Sequence, residues 1–138
     1  MKKYFLLFVV IGFSTAAFSL TLEDTFNATF EIDSVTVGKS ESTINLSSPS
    51  TGQYGKVYVS YTFTSNPDIP GSGTWTGHGR GISPEGVIAR GDLMGIYTLE
   101  GGKIHVKSLD SVTDGINFLE GSIDLVSGLM EASVSKVK

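Results

Sequence analysis

Polar and apolar residues alternate along stretch after stretch of this chain, and this period-two pattern constrains its fold more than any other feature. The clearest stretch is Lys56–Thr64, which reads KVYVSYTFT. Its apolar and aromatic side chains share one face of an extended strand: Val57, Val59, Tyr61 and Phe63. Because successive side chains of a strand point to opposite faces, the pattern predicts a half-buried β-strand.

Seven or eight segments carry this signal, and short turns rich in glycine or proline separate them. They are residues 25–37 with a bulge or bend near Asp33-Ser34, a weaker 41–46, 56–64, 73–82, 87–99 bent at Gly91, 103–109, 116–125 and 129–137. After residue 19, no stretch of eleven residues has the apolar spacing of a helix. We therefore predict an all-β fold, a single antiparallel meander that closes into a small barrel, with a β-sandwich as the alternative.

The first 19 residues have the order of a secretory signal peptide. Met1–Lys3 is positively charged, Phe5–Phe13 is a continuous apolar run, and Ala17–Ser19 fits the small-x-small cleavage rule. The alternative is a membrane anchor, but the apolar run is shorter than the roughly 20 residues that a spanning helix needs. We expect cleavage after Ser19, one β-barrel domain over residues 20–138, a secreted or periplasmic location, and no stable membrane span after cleavage.

The charge and the absence of cysteine exclude several classes of function. Cleavage removes Lys2 and Lys3, and the loss of two positive charges changes the net charge from −4 to −6. An acidic domain is not suited to nonspecific nucleic-acid binding, which needs a basic surface, so we expect no nucleic-acid partner. The chain has no cysteine, which excludes disulfides, thiolate nucleophiles and thiolate metal sites. The core alone must therefore hold the domain together.

The glycine-rich stretch Gly71–Gly95 contains the only tryptophan, both arginines and one of the two histidines. It does not match the dinucleotide fingerprint G-x-G-x-x-G, because Ile82 occupies the third glycine position and Ser83-Pro84 forms a turn where a helix should begin. On an extended strand, one face carries Gly73, Trp75, Gly77, Gly79 and Gly81, and the other carries Thr74, Thr76, His78 and Arg80. A bare glycine face lets a strand coil sharply or lets a large side chain approach it.

Two versions of a ligand site follow from this strand. If the polar face points inward, Arg80 can pair with an anionic ligand and the threonines can orient it. If the glycine face points inward, it leaves room for a ligand against Trp75, and we favour this version because the other face carries a charge. The candidate ligand-binding residues are Tyr61, Phe63, Trp75, His78 and Arg80.

Metal and catalytic motifs are incomplete. His78 and His105 share no local spacing, and His105 lies between Lys103 and Lys107 on a face that we expect to be exposed, so we predict no metal site. Residues 110–121 resemble a calcium loop only in part, because Val112 occupies the third position, and we predict a turn with solvated carboxylates. There is no G-x-S-x-G elbow. We assign no catalytic residue and no cofactor, and we leave the question of an enzyme open while favouring a non-catalytic protein.

A meander with such turns resembles the calycin-type and allene-oxide-cyclase-like small barrels. The segment Gly73–Val134, with its G-x-G-x-G strand, P-x-G turn and repeated turn glycines, is also similar to bacterial and archaeal barrel proteins of that general type. The resemblance implies a barrel that holds hydrophobic small molecules, although fold alone does not carry function. An outer-membrane barrel is disfavoured, since the second faces of the strands are polar.

Three functions are compatible with this sequence. The first is an exported barrel that binds a small apolar ligand in a cavity of roughly 300 Å³ or more, with an interior built from Val57, Tyr61, Phe63, Trp75 and Phe118. The second is a structural or protein-interaction module of the cell envelope, which an exposed aromatic patch at Tyr54, Tyr58 and Trp75 would favour. The third is a barrel enzyme of the cyclase or isomerase type, which needs a His or Arg with a shifted pKa in a pocket. The sequence leaves the ligand and the oligomeric state open.

Overall fold

The computed structural model describes Gly12 and residues 19–138. Apart from Gly12 and Ser19, the predicted signal peptide lies outside the described residues and stays a prediction. The described chain forms eight strands and one 3₁₀ turn at Gly52–Tyr54. The strands are β1 (Leu22–Thr36), β2 (Glu41–Ser48), β3 (Lys56–Ser65), β4 (Ser72–Ile82), β5 (Ile88–Glu100), β6 (Lys103–Val112), β7 (Gly115–Asp124) and β8 (Leu129–Val137).

Each strand pairs antiparallel with the next, and β8 pairs with β1 to close the sheet into a barrel. The closing pair extends from Leu22↔Val137 to Glu31↔Leu129, so neither terminal strand leaves a free sheet edge along this seam. The predicted all-β fold, meander and closed barrel are therefore confirmed, and the sandwich alternative is not adopted. Among residues 19–138 there is no helix with the length and apolar character that a membrane crossing requires.

A bulge in β1 lies where the alternation of apolar residues changes phase. Ile32 pairs with Leu46, whereas Ser34 pairs with Asn45, so Asp33 is the extra residue. The extra residue returns Val35 to the parity of Ile32, opposite the buried Ile44. The predicted bulge near Asp33-Ser34 is confirmed.

The inward faces of the strands fill the centre of the barrel with the protein's own side chains. The largest of these are almost completely buried: Trp75, Tyr61, Leu46, Ile123, Met130 and Val106. The prediction for Phe118 was wrong, because this side chain is half-buried on the outward parity of β7. Its neighbours Asn117 and Leu119 point inward instead. Close packing of this kind leaves no room for a guest at the barrel centre.

The glycine face of β4 points inward together with Trp75, which is 1% exposed. A Cβ atom at Gly77 would lie 2.6 Å from the Ser60 carbonyl oxygen and 3.0 Å from the Tyr61 ring. At Gly95, which pairs with Trp75, a Cβ would lie 2.7 Å from the indole nitrogen. Because glycine has no side chain, Gly77 and Gly95 let the rings of Tyr61 and Trp75 lie against the sheet, with the two ring centroids 4.2 Å apart.

Candidate functional site

A cavity of about 80 Å³ lies inside one end of the barrel, and we call it the Asp110 cavity. This end carries the 3₁₀ turn and the turns that join β4 to β5 and β6 to β7. Most of the wall is apolar and comes from Phe26, Phe30, Val57, Val59, Tyr61, Leu93, Leu119 and Val134. The buried polar side chains in the wall are Thr51, Asp110 and Asn117. An apolar wall with a few convergent polar groups is typical of a small-molecule site.

Asp110 and Asn117 are direct cross-strand partners at the floor of this cavity. Both point inward, and their exposed fractions are only 4% and 3%. The prediction of solvated carboxylates for residues 110–121 was therefore wrong at Asp110. Strand β6 continues to Val112, and its inward parity passes from Val106 through Ser108 to Asp110, which places the carboxylate inside the barrel.

Several buried side-chain oxygen atoms, two of them in hydroxyl groups, have no hydrogen-bond partner among the residues that the structure describes. They are Thr51 Oγ1, Ser108 Oγ, Asp110 Oδ1 and Asn117 Oδ1. Three of these four residues line the Asp110 cavity. Buried polar groups in folded proteins are nearly always hydrogen-bonded, so this concentration of unpartnered atoms requires an explanation.

A hydrogen-bond chain fixes the orientation of the Asn117 amide. Lys136 Nζ lies 2.7 Å from Asp114 Oδ2 and, through this hydrogen bond, lowers the pKa of the Asp114 carboxyl, which stays ionised. The Tyr54 hydroxyl must then donate to Asp114 Oδ1, at 2.8 Å. Its oxygen accepts from Asn117 Nδ2 at 2.9 Å. The amide nitrogen is therefore engaged, which leaves Oδ1 as the unpartnered end of Asn117.

Burial raises the pKa of the Asp110 carboxyl to about 6, because the apolar surroundings disfavour the charged form. Ser108, on the same face of β6, opposes this increase slightly, although its hydroxyl forms no hydrogen bond of good geometry. Burial and, to a smaller extent, the Asp110 charge raise the pKa of the Tyr61 hydroxyl, which stays protonated. Asp110 is therefore the group in this cavity that changes charge near neutral pH.

A second concavity, the open-end groove, lies at the opposite end of the barrel and encloses about 270 Å³. Phe63 and Tyr97 lie in its wall and pack edge to face, with their ring centroids 5.2 Å apart. Val35, Ile44, Leu99, Ile104 and Leu125 complete most of the apolar lining, and Lys39 is its charged member. Neither concavity reaches the roughly 300 Å³ that we expected of the small-ligand site. The expected cavity is therefore not formed, and any guest must be smaller.

The five predicted ligand-binding residues do not line one cavity, although the rings of three of them form an aromatic cluster: Tyr61, Phe63 and Trp75. Tyr61 lines the Asp110 cavity, and Phe63 lines the open-end groove. Trp75 belongs to the core and lines neither concavity, and its Nε1 donates to the Ile96 carbonyl oxygen at 3.1 Å. His78 lies on the outer face, with Nδ1 2.9 Å from Asp92. Arg80 is exposed at the edge of the Asp110 cavity and donates to the Gly79 carbonyl oxygen.

Sequence reasoning missed Thr51, Asp110 and Asn117. For Asp110 a signal was present, since the alternation Ile104, Val106, Ser108 continues to position 110 without a break. Thr51 lies in a loop, and nothing in its local sequence indicates burial. Asn117 has the parity of Leu119 and Ile123 on β7, but the orientation of its amide depends on Tyr54, which is 63 residues away.

Within residues 19–138, no group of three or more His, Asp or Glu side chains is arranged to hold a metal ion. Neither histidine lines the Asp110 cavity or the open-end groove.

Comparison with family models, with curated proteins and with solved structures finds no match to this chain. The arguments for function therefore depend on the residues of the site itself.

Proposed function

We propose that this protein is an exported, non-catalytic β-barrel that binds a small, mostly apolar ligand in the Asp110 cavity. The observation that carries the proposal is the apolar wall around buried acceptors that lack protein partners. A cavity of about 80 Å³ holds a ligand of only a few non-hydrogen atoms, or the end of a longer one. The resemblance to calycin-type barrels, which hold hydrophobic small molecules, agrees with this proposal at the level of architecture.

Export is the second part of this proposal, and its support comes from the order of charged, apolar and small residues in positions 1–19. We propose a secreted or periplasmic protein from which the first 19 residues are removed. The measurement is the mass of the protein recovered from its own compartment. A mature chain that begins at Leu20 supports export with cleavage, whereas a chain that keeps residues 1–19 contradicts it.

Isobutanol, which has five non-hydrogen atoms and one hydroxyl, is a suitable first probe for the cavity. We expect it to cause saturable shifts in the amide NMR signals of residues that line the Asp110 cavity. Ala89→Phe should abolish these shifts, because Ala89 lines the cavity and the new ring would enter it. Ile88→Phe is the matched control, since Ile88 is the preceding residue, is 51% exposed and does not line the cavity.

Native mass spectrometry of the protein purified from its own compartment provides an independent test. A bound small molecule that Ala89→Phe excludes and Ile88→Phe retains would support the proposal. If no small molecule copurifies and isobutanol produces no saturable shift, the ligand-binding function is wrong.

A specific surface supports a second candidate, a protein-interaction module of the cell envelope. Met94, Ile96 and Leu109 form an outer patch on β5 and β6, with exposed fractions of 70%, 61% and 52%. Met94 and Leu109 are direct cross-strand partners, so the patch is continuous. An exposed aromatic patch at Tyr54, Tyr58 and Trp75 would have favoured this candidate, but it is not formed, since Trp75 is buried.

Sedimentation velocity at increasing protein concentration tests whether the outer patch binds a second copy of the chain. Self-association that Met94→Lys abolishes would support this candidate. Thr76→Lys is the control, because Thr76 is the polar cross-strand neighbour of Met94 on β4. A monomer at all concentrations would contradict pairing of two copies through this patch.

A further inference from the structure

The Asp110 cavity is lined by buried polar groups without partners, and two of the unpartnered atoms, a carboxylate oxygen and an amide oxygen, can only accept hydrogen bonds. Asp110 Oδ1 and Asn117 Oδ1 are buried and unpartnered among the described residues, and Thr51 Oγ1 is buried and unpartnered as well. The Asn117 amide cannot turn its nitrogen toward the cavity without leaving the Tyr54 hydroxyl that accepts from it. A buried acceptor without a donor carries its full desolvation cost. A ligand rich in N–H groups would remove that cost.

The Asp110 carboxylate also lacks a cation. It takes part in none of the ion pairs formed within residues 19–138. Lys136 is engaged with Asp114, and the exposed Arg80 and Arg90 lie at the outer edge of the cavity, where water and salt screen their charges. A buried charge without a partner is costly. A positive group on the ligand would compensate it.

We infer that the ligand of the Asp110 cavity is a small primary ammonium compound with a short apolar body. An ammonium group has N–H donors and no acceptor, which suits the Asp110 carboxylate and the Asn117 amide oxygen, whose residues are direct cross-strand partners at the floor of the cavity. The apolar body packs against the aliphatic and aromatic wall, which includes Val57 and Val134. This inference depends on the proposed ligand-binding function and assigns the chemical class of its ligand.

Isobutylammonium and isobutanol are the probes that test it, because they have the same shape and differ in the charged group. We expect isobutylammonium to bind the full chain about tenfold more tightly at pH 7.5, since a hydrogen bond between two charged groups is about twice as strong as a neutral one. Isobutyrate, which carries the opposite charge, should not bind. Amide NMR titrations give the three affinities.

Two substitutions test whether the preference for isobutylammonium over isobutanol depends on Asp110 and Thr51. Asp110→Asn should reduce the tenfold preference to about twofold or less, because the charge is lost while the shape is kept. Thr51→Val should weaken isobutylammonium more than isobutanol, and it tests the same point if Asp110→Asn does not fold. Asp92→Asn is the matched control, since Asp92 is an exposed carboxylate on the outer face, and it should leave the preference unchanged.

The pH dependence gives a further readout. Isobutylammonium should bind less tightly as the pH falls from 7.5 to 5, because Asp110 takes up a proton in this range. The tyrosines that line the cavity, Tyr54 and Tyr61, stay neutral in this range because burial raises the pKa of both hydroxyls. The guanidinium groups of Arg80 and Arg90 complete the charged lining. Behind the wall, the ion pair of Asp114 and Lys136 lowers the pKa of the carboxyl and raises the pKa of the ammonium group, so both stay ionised. Asp110→Asn should remove the dependence.

The results separate the inference from the function on which it rests. If isobutanol binds as tightly as isobutylammonium, or if Asp110→Asn keeps the preference, the ammonium assignment is wrong and the ligand-binding function stands. If neither compound binds, the proposed function itself fails. If isobutyrate binds most tightly, the ammonium assignment is wrong, because a site that contains the Asp110 carboxylate should repel a ligand of the same charge.

Discussion

Among the single residues, Asp110 is a carboxyl group whose environment changes strongly between the unfolded chain and the folded protein. Its carboxyl group is buried between apolar walls, and its pKa rises from 3.8 to about 6. The folded protein therefore binds more protons than the unfolded chain between about pH 4 and pH 6. Stability contributed by protonated Asp110 is complete below its unfolded pKa and is lost as the pH rises through the folded pKa.

This difference in proton binding predicts that Asp110 lowers the free energy of unfolding as the pH rises, and that Asp110→Asn removes this contribution. Between about pH 3.5 and pH 7.5, the wild-type protein should lose on the order of 3 kcal/mol of unfolding free energy relative to Asp110→Asn. Urea unfolding of both proteins across this range measures the difference, and the comparison cancels the carboxylates that they share. Parallel pH profiles would show that Asp110 is not desolvated in the folded state.

Among the elements, β4 is the strand whose packing depends on glycines on its inward face. Its inward face carries Gly77 and Gly79 beside Trp75, and the Tyr61 ring from β3 lies over Gly77. The β4 glycines have ordinary extended backbone in this region, since none of the positive-φ glycines lies between Gly71 and Gly86. Close approach, and not a special turn conformation, explains glycine at these positions.

The two glycines give a matched pair of substitutions. Gly77→Ala should destabilise the protein by about 1–3 kcal/mol, because the new methyl group would meet the Ser60 carbonyl oxygen at 2.6 Å and force the strands to shift. Gly79→Ala should cost less, since its nearest neighbour is a Val59 methyl group at 3.2 Å. Urea unfolding measures both values. Equal effects would contradict the packing explanation.

The molecule as a whole is defined by closure of the barrel between its first and last strands. Leu22 pairs with Val137, and the Lys138 amide donates to the Thr21 carbonyl oxygen at 2.9 Å. The ends of the described barrel are therefore adjacent, although they are the most distant parts of the chain in sequence. Closure also creates two separate ends, with the Asp110 cavity at one and the open-end groove at the other.

Adjacent ends predict that the barrel tolerates circular permutation. A permutant that joins residue 138 to residue 20 through a short Gly-Ser linker, and opens the chain between Gly101 and Gly102, should fold cooperatively. These glycines form a tight turn, and neither would meet backbone through an added Cβ. A second permutant opened between Gly77 and His78, inside β4, should not fold. Circular dichroism and urea unfolding show whether each permutant folds cooperatively. If the first permutant does not fold, the prediction is wrong.

Local patterns in the sequence determined the architecture. Alternation of apolar residues and the positions of turn glycines predicted all eight strands, and the phase change at Asp33 predicted the bulge in β1. These features depend on near neighbours, because side chains of a strand alternate faces whatever the strand pairs with. The closed barrel followed from the same signals, since consecutive strands joined by tight turns pair in order.

Apolar parity indicated the inward faces of the clearest strands, whereas only the tertiary structure decided which polar groups the interior enclosed and how they pair. It turned the glycine face of β4 inward and filled it with Trp75, placed Phe118 on the outward parity, and brought Asp110 opposite Asn117. The acceptor set of the cavity depends on Tyr54, Asp114 and Lys136, which come from distant parts of the chain. Strand parity carries a local signal for the burial of Asp110, but hydrogen-bond pairing is a property of the assembled barrel and no local pattern encodes it.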